Sequence, residues 1–258
     1  MTALFPQPTV WNQLAWRLKP AWPEELACPG FDQIGANLPA EVRTFVSDSY
    51  PRNHTYTPVA DRLVATRKLA VRVAGLSRHY PTPLTSLLDL SCSKGFFIFH
   101  GAARPTCERA LGIDLNDECL EACRLLNAGF DRRERVRFER LTLPELSGRI
   151  GEFGGPFQTV LLINTYQYLY FGSTVAPAVG HDHSEIFRLL RTVCSGRLVF
   201  HNRLSLADLQ SDPQERASRT GAGSLYHPEA IRQSAEVFFA VTALRRWLGR
   251  PVWLLDAK

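Results

Sequence analysis

The sequence predicts an α/β fold built on a mostly parallel sheet, and three observations carry that prediction. The stretch Leu87-Leu88-Asp89-Leu90-Ser91-Cys92-Ser93-Lys94-Gly95-Phe96-Phe97 takes an apolar strand into a tight turn of small residues and then into a helix. This is the junction at which open α/β sheets hold a nucleoside. Asp114 closes the next apolar run, Ala110-Leu111-Gly112-Ile113, nineteen positions after Gly95. An acid at that distance falls at the tip of the neighbouring parallel strand, where its carboxylate can accept from both hydroxyls of a ribose. From Leu84 onward, strand-like and helix-like segments alternate as a parallel sheet requires.

Residues 1–80 read as a helical N-terminal extension and residues 81–258 as the α/β domain. The extension carries Trp11, Trp16 and Trp22, a proline-rich linker at Pro20-Ala21-Trp22-Pro23, and a predicted amphipathic helix over Ala60–Ser77 with Leu63, Leu69, Val71 and Val73 among arginines. Between them, Ser49–Tyr56 is polar, aromatic and turn-forming, the composition of a lid or of a plain surface loop. The first strand is Ser86–Leu90 and its helix spans about Phe96–Ala103. The second strand is Arg109–Asp114, with a helix over Asp117–Ala128, and the third is Val136–Glu139.

Thr159–Ile163 is continuously apolar, as a central strand buried on both faces must be. Asp182-His183-Ser184-Glu185 predicts a capped helix start, running to Cys194, and a fifth strand covers Arg197–Phe200. A helix is predicted over Pro228–Val237. Phe238–Leu244 and Val252–Leu255 flank a turn and read as an antiparallel hairpin.

Composition sets bounds without choosing a function. A chain of 258 residues that is 45% hydrophobic can bury a full core. No run of eighteen apolar residues occurs, and the N-terminus lacks a basic region followed by a hydrophobic one, so a cytoplasmic protein with no membrane association is expected. Reduced thiols are the expected state of the six cysteines. Cys119 and Cys123 lie one helical turn apart, and His181 and His183 form an H-x-H pair, but neither pair has the further ligands a metal needs. Small buried side chains and helix capping account for them better, and no metal is expected. The net charge of +5 and the run Arg132, Arg133, Arg135, Arg137 and Arg140 hint at a polyanion. Glu134 and Glu139 partly neutralise that run, so a solvated edge is the simpler account and RNA stays open as a partner.

The glycine pattern separates two nucleoside ligands. A dinucleotide turn wants G-x-G-x-x-G, and here those positions read Ser91, Ser93 and Phe96. A phenylalanine at the third position obstructs helix–strand packing, which disfavours NAD(P). The spacing D-x-S-x-S-x-G instead resembles motif I of class I S-adenosylmethionine-dependent methyltransferases, with serines replacing the first two glycines and Gly95 keeping the third. Within that superfamily, Cys92-Ser93-Lys94-Gly95-Phe96-Phe97 is similar to the C-x-x-G-F/Y-F version of the branch that includes tRNA wobble-uridine modifying enzymes.

The resemblance implies a Rossmann-like, mostly parallel seven-stranded sheet ending in an antiparallel hairpin. It implies S-adenosylmethionine as cofactor, S-adenosylhomocysteine as product, and a site made of Asp89, Ser91, Ser93, Gly95, Asp114, Leu115, Thr142 and Asn164. Ser91 or Ser93 could equally cap the following helix, and a positive φ at a serine costs about a kilocalorie or more. The lip Asn164–Tyr170 and the fifth strand's end supply the remaining candidates: His201 as a base and Tyr168 as its companion, with Tyr166, Tyr56 and His227 toward the acceptor. The expectation is methyl transfer to an unidentified acceptor, most simply a small molecule. Two other readings stay open, an RNA-modifying methyl- or carboxymethyl-transferase and a catalytically silent subunit of the same fold.

Overall fold

The computed structural model describes residues 26–258; Trp11, Trp16, Trp22 and the proline-rich linker lie outside the described residues. What is described of the extension is not all helical. It contains β1 (Ala27–Pro29), the short α1 (Ile34–Asn37), α2 (Ala40–Asp48), β2 (Tyr56–Val59), β3 (Arg62–Ala65) and α3 (Arg67–Leu76), with the strands ordered β1-β3-β2 in an antiparallel sheet.

The helix expected over Ala60–Ser77 therefore breaks in two. Val59 pairs with Arg62 across a two-residue turn in which Ala60 takes φ +51°. Leu63 and Ala65 fall on the buried side of a strand, and Leu69, Val73 and Leu76 on the buried side of a helix. Leu63 fits both periods when read from sequence alone, so only pairing with β2 decides between them.

The α/β domain follows its predicted order closely. It comprises β4 (Ser86–Asp89), α4 (Phe96–Ala102), β5 (Arg109–Asp114), α5 (Asp117–Ala128), β6 (Val136–Arg140), α6 (Leu143–Gly148), β7 (Phe157–Ile163) and α7 (Tyr166–Phe171). After these come α8 (His183–Val193), β8 (Cys194–His201), α9 (Ser211–Thr220), α10 (Pro228–Phe238), β9 (Phe239–Ala243) and β10 (Val252–Ala257). The strand order is β6-β5-β4-β7-β8-β10-β9. The β4–β8 strands pair in parallel and β10 runs antiparallel to both neighbours.

Consecutive strand residues divide between two cores, one on each face of the sheet. Leu87, Ala110, Leu161, Val199 and Leu254 join the cluster that includes the extension, α3, α4 and α5. Leu88, Leu111, Leu162, Leu198 and Leu255 join the cluster under α6, α7, α8 and α10. Period-2 alternation with both faces apolar is what makes these strands read as unbroken hydrophobic runs. The extension has no separate core, because Tyr56, Leu63 and Val73 share theirs with the sheet.

Local signals set the helix starts. The Asn116 side chain accepts from Cys119 N at 2.9 Å, with Asp117 and Glu118 in the first turn of α5. The Asp182 side chain accepts from Ser184 N at 2.8 Å to open α8. Glu134 and Glu139, the acids expected to neutralise part of the arginine run, pair with Arg135 and Arg137, and other members of the run find other partners. Arg132 and Arg135 donate to the carbonyls of Arg104 and Cys107, while Arg137 and Arg140 pair with Glu139 and Asp117. Among the described residues no helix is long and apolar enough to cross a membrane.

Candidate functional site

The carboxyl ends of β4, β5, β7 and β8 converge beneath the described part of the extension, and the turn after β4 is the centre of that convergence. Asp89 is buried and accepts from Ser91 N at 3.2 Å. The chain then turns so that Cys92 N donates to Ile113 O at 2.9 Å and Gly95 N to Cys92 O at 2.8 Å. Ser93 takes φ +49° and Gly95 φ +78°. A Cβ on Gly95 would lie 2.8 Å from Cys123 Sγ, so both conformation and packing require glycine there. Neither serine caps α4, whose N-cap is Gly95 with no side-chain bond. Ser91 Oγ instead hydrogen-bonds with Thr165 Oγ1, joining the turn to the end of β7.

Asp114 sits at the tip of β5, where the sequence put it, and it holds the turn from the side. Its Oδ2 accepts from Ser93 N at 2.7 Å, and Oδ1 accepts from Leu115 N at 2.8 Å and Asn116 N at 3.0 Å. A carboxylate offers about four acceptor positions, so one remains. Thr142, after β6, is committed to a capping box: Glu145 Oε2 accepts from its amide and hydroxyl, each at 2.8 Å. Asn164 takes φ +58°, and its Oδ1 is buried with no hydrogen-bond partner among the described residues.

Several expected acceptor-side residues are placed elsewhere. Tyr166 is fully buried in the core under α8, its hydroxyl 2.6 Å from His183 Nδ1. It is a packing residue because the first residue of α7 turns inward. Tyr56 is also fully buried and donates to Lys94 O at 2.5 Å, clasping the turn rather than facing a ligand. His227 is the N-cap of α10, with Nδ1 accepting from Ala230 N. His183 bonds the Leu225 carbonyl through Nε2 at 3.0 Å and His181 the Tyr170 carbonyl at 2.7 Å, so neither histidine caps α8; Asp182 does.

His201 is 1% exposed, and its Nε2 lies 2.9 Å from Trp247 O. A carbonyl only accepts, so Nε2 carries the proton and Nδ1 is a bare acceptor. Burial lowers its pKa to about 4, with Arg72 and Arg250 pushing the same way against the Trp247 bond. It positions the hairpin turn and carries no charge at neutral pH, Nδ1 remaining unprotonated. Tyr168 stays half-buried at the lip, donating to Gln210 Oε1 at 3.1 Å.

The residue that sequence reading missed is Arg72. It lies on α3 with 2% exposure, and its Nη1 is 2.8 Å from His54 Nε2 and 3.4 Å from Asn53 O. Its Nε and Nη2, the edge that grips a carboxylate with two parallel N–H groups, have no partner among the described residues. Burial pulls its pKa to about 10, with Arg250 adding to the fall and Asp89 opposing it. Asp89 moves the other way, to about 7, chiefly through burial. An arginine on an amphipathic helix gives no sign in sequence that it points inward.

The sheet order, with the hairpin inserted antiparallel beside β8, defines the Rossmann-like fold of class I methyltransferases. Two solved structures share it. The PH0226 protein from Pyrococcus horikoshii OT3 is 14% identical over 84% of this chain and 97% of its own, with a TM-score of 0.53. An O-methyltransferase family protein from Burkholderia thailandensis is 17% identical over 74% of this chain and 56% of its own, with a TM-score of 0.50. The bifunctional kinase-methyltransferase WbdD, 17% identical, matches 72% of this chain with a TM-score of 0.49, and this chain spans 38% of its length. No family model matches the sequence, and no curated protein matches it.

Proposed function

We propose that this chain is an S-adenosylmethionine-dependent methyltransferase acting on a small-molecule acceptor. The observation that carries the reading is the buried, unpartnered Nε–Nη2 edge of Arg72 close to the buried carboxyl of Asp89. A buried guanidinium without an anion is costly, and a carboxylate completes it. The amino-acid end of S-adenosylmethionine carries a carboxylate and an ammonium, complementary to Arg72 and Asp89. The one open acceptor position of Asp114 suits a ribose hydroxyl, and Asn164 Oδ1 is a second buried acceptor at the same strand ends. These residues fit the cofactor.

When bound, the cofactor supplies an electrophilic methyl group on sulfur. The chain's own residues then have to orient the acceptor and exclude water. Ser49 to Tyr56 serves the second task. Lys94 Nζ donates to Ser49 O at 2.8 Å and Tyr56 closes on Lys94 O, holding this segment over the turn as a lid. Tyr168 and the 81% exposed Tyr50 line the mouth on the acceptor side. Six buried free thiols fit a reducing, cytoplasmic setting.

The test is calorimetric titration with S-adenosylmethionine and S-adenosylhomocysteine. Micromolar binding by the unaltered chain is expected, weakened about 30-fold or more in Arg72→Gln. Absence of binding would overturn the reading.

A further inference from the structure

Resting on the cofactor reading above, we infer that the acceptor carries an oxyanion, a carboxylate or a phosphate, which docks on Arg203 and Arg250 beside the end of β8. Two segments bring these arginines together. The chain after β8 is pinned by Asn202, whose Oδ1 accepts from Thr165 N at 2.7 Å and Tyr166 N at 3.0 Å and whose Nδ2 donates to Leu162 O at 2.7 Å. Arg203 follows, its carbonyl held by the Tyr226 hydroxyl at 2.8 Å. Arg250 ends the hairpin turn, where Trp247 and Arg250 exchange backbone bonds of 2.8 and 3.1 Å. That turn is fastened to the same strand end by His201 on Trp247 O, and to α3 by Trp247 Nε1 on Val71 O at 3.3 Å. Val71 precedes Arg72, so all three guanidinium groups gather at one end of the sheet.

None of these three arginines is ion-paired among the described residues. The ten ion pairs among the described residues use other arginines. Arg203 Nη1 is buried with no acceptor among the described residues, as are Nε and Nη2 of Arg72. Burial pulls the Arg250 pKa to about 10, and Arg203 lowers it further against the exposed Asp208. The nearby His54 and His201 are held neutral, both lowered first by burial and both by Arg72 and Arg250. Of the acids, Asp89 acts on Arg72 and Asp208 on Arg250.

The cofactor does not balance this surplus. Its carboxylate, ammonium and sulfonium sum to one positive charge, so filling the Arg72 edge leaves Arg203 and Arg250 with more positive charge around them. An anion on the acceptor is what completes the site. Arginine forks match carboxylate and phosphate oxygens alike. Arg203 also acts on the Tyr168 phenol, which places the anion at the mouth beside the aromatic lip.

The experiment uses the full chain saturated with S-adenosylhomocysteine, titrated with inorganic phosphate and with malonate at constant ionic strength. At least one anion is expected to bind, about tenfold or more weakly in Arg203→Gln and in Arg250→Gln. Binding should be unchanged in Arg232→Gln on the outer face of α10, and the preferred anion names the group on the acceptor. The bonds fixing Arg250 are backbone bonds, so its substitution keeps the turn, and S-adenosylhomocysteine affinity reports that the site is intact. Binding of neither anion, or binding that survives both substitutions, would overturn the inference. So would anion binding that S-adenosylhomocysteine abolishes, since the anion would then occupy the Arg72 edge. If S-adenosylhomocysteine itself fails to bind, the cofactor reading falls and this inference with it; anion failure on the loaded protein sinks this inference alone.

Discussion

The Ser93 amide donates to Asp114 Oδ2 at 2.7 Å, so a carboxylate at the tip of β5 holds the positive-φ turn that follows β4. Strained backbone persists only where its surroundings over-determine it, and here the acid that would meet the ribose also does the holding. Asp114→Ala should abolish detectable S-adenosylhomocysteine binding. It should also lower stability by about 1–3 kcal/mol, by leaving three amides without their acceptor. Asp114→Asn, which keeps one accepting oxygen, should fall between. Chemical denaturation and calorimetry on the same samples check both.

Tyr56 joins the extension to this turn through one buried bond to Lys94 O. Tyr56→Phe removes the donor and leaves a buried carbonyl unpaired, so a loss of about 1–2 kcal/mol is expected by denaturant unfolding. No loss of stability would show that the clasp contributes nothing.

Gly75 is inverted in sign from the usual helix rule. Alanine in a helix normally stabilises by about 0.5–1 kcal/mol relative to glycine. A Cβ on Gly75 would clash with the indole ring of Trp247, which anchors the hairpin turn on α3. Gly75→Ala should therefore destabilise by about 1–3 kcal/mol, and restoring space with Trp247→Leu in the same chain should recover part of that loss.

Two buried groups give opposed pH dependences. His201 has a folded pKa of about 4, below its ordinary value of 6.5. The unfolded chain therefore binds the proton more readily, and stability is full above pH 6.5 and falls as pH drops toward 4. Asp89 has a folded pKa of about 7 against 3.8. Its contribution is present below about pH 4 and is lost as pH rises through 7. Asp89→Asn should accordingly raise the melting temperature at pH 8 and leave it nearly unchanged at pH 4. His201→Gln should flatten the decline between pH 6.5 and 4. Melting curves across pH 4–8 decide both.

Much of the sheet was legible in the sequence because strands buried on two faces must be continuously apolar, and because helix caps are local chemistry. Asp117–Ala128, Arg109–Asp114 and the terminal hairpin emerge within a residue or two of their expected bounds. The positions of Gly95 and Asp114 also follow locally, since a turn and an acid one crossover later are fixed by chain geometry.

Which way a side chain faces at the strand ends was settled only by packing between distant segments. Tyr56, Tyr166 and His201 are polar residues in segments that the linear chain leaves free, yet contacts 17 to 46 residues away turn each of them inward. Arg72 and Arg250 come together from opposite ends of the chain, because Trp247 docks on the helix that carries Arg72. Burial and pairing depend on such long-range contacts, so sequence determined the scaffold and the positions of Gly95 and Asp114, whereas the tertiary structure decided which charges there lack an ion-pair partner among the described residues.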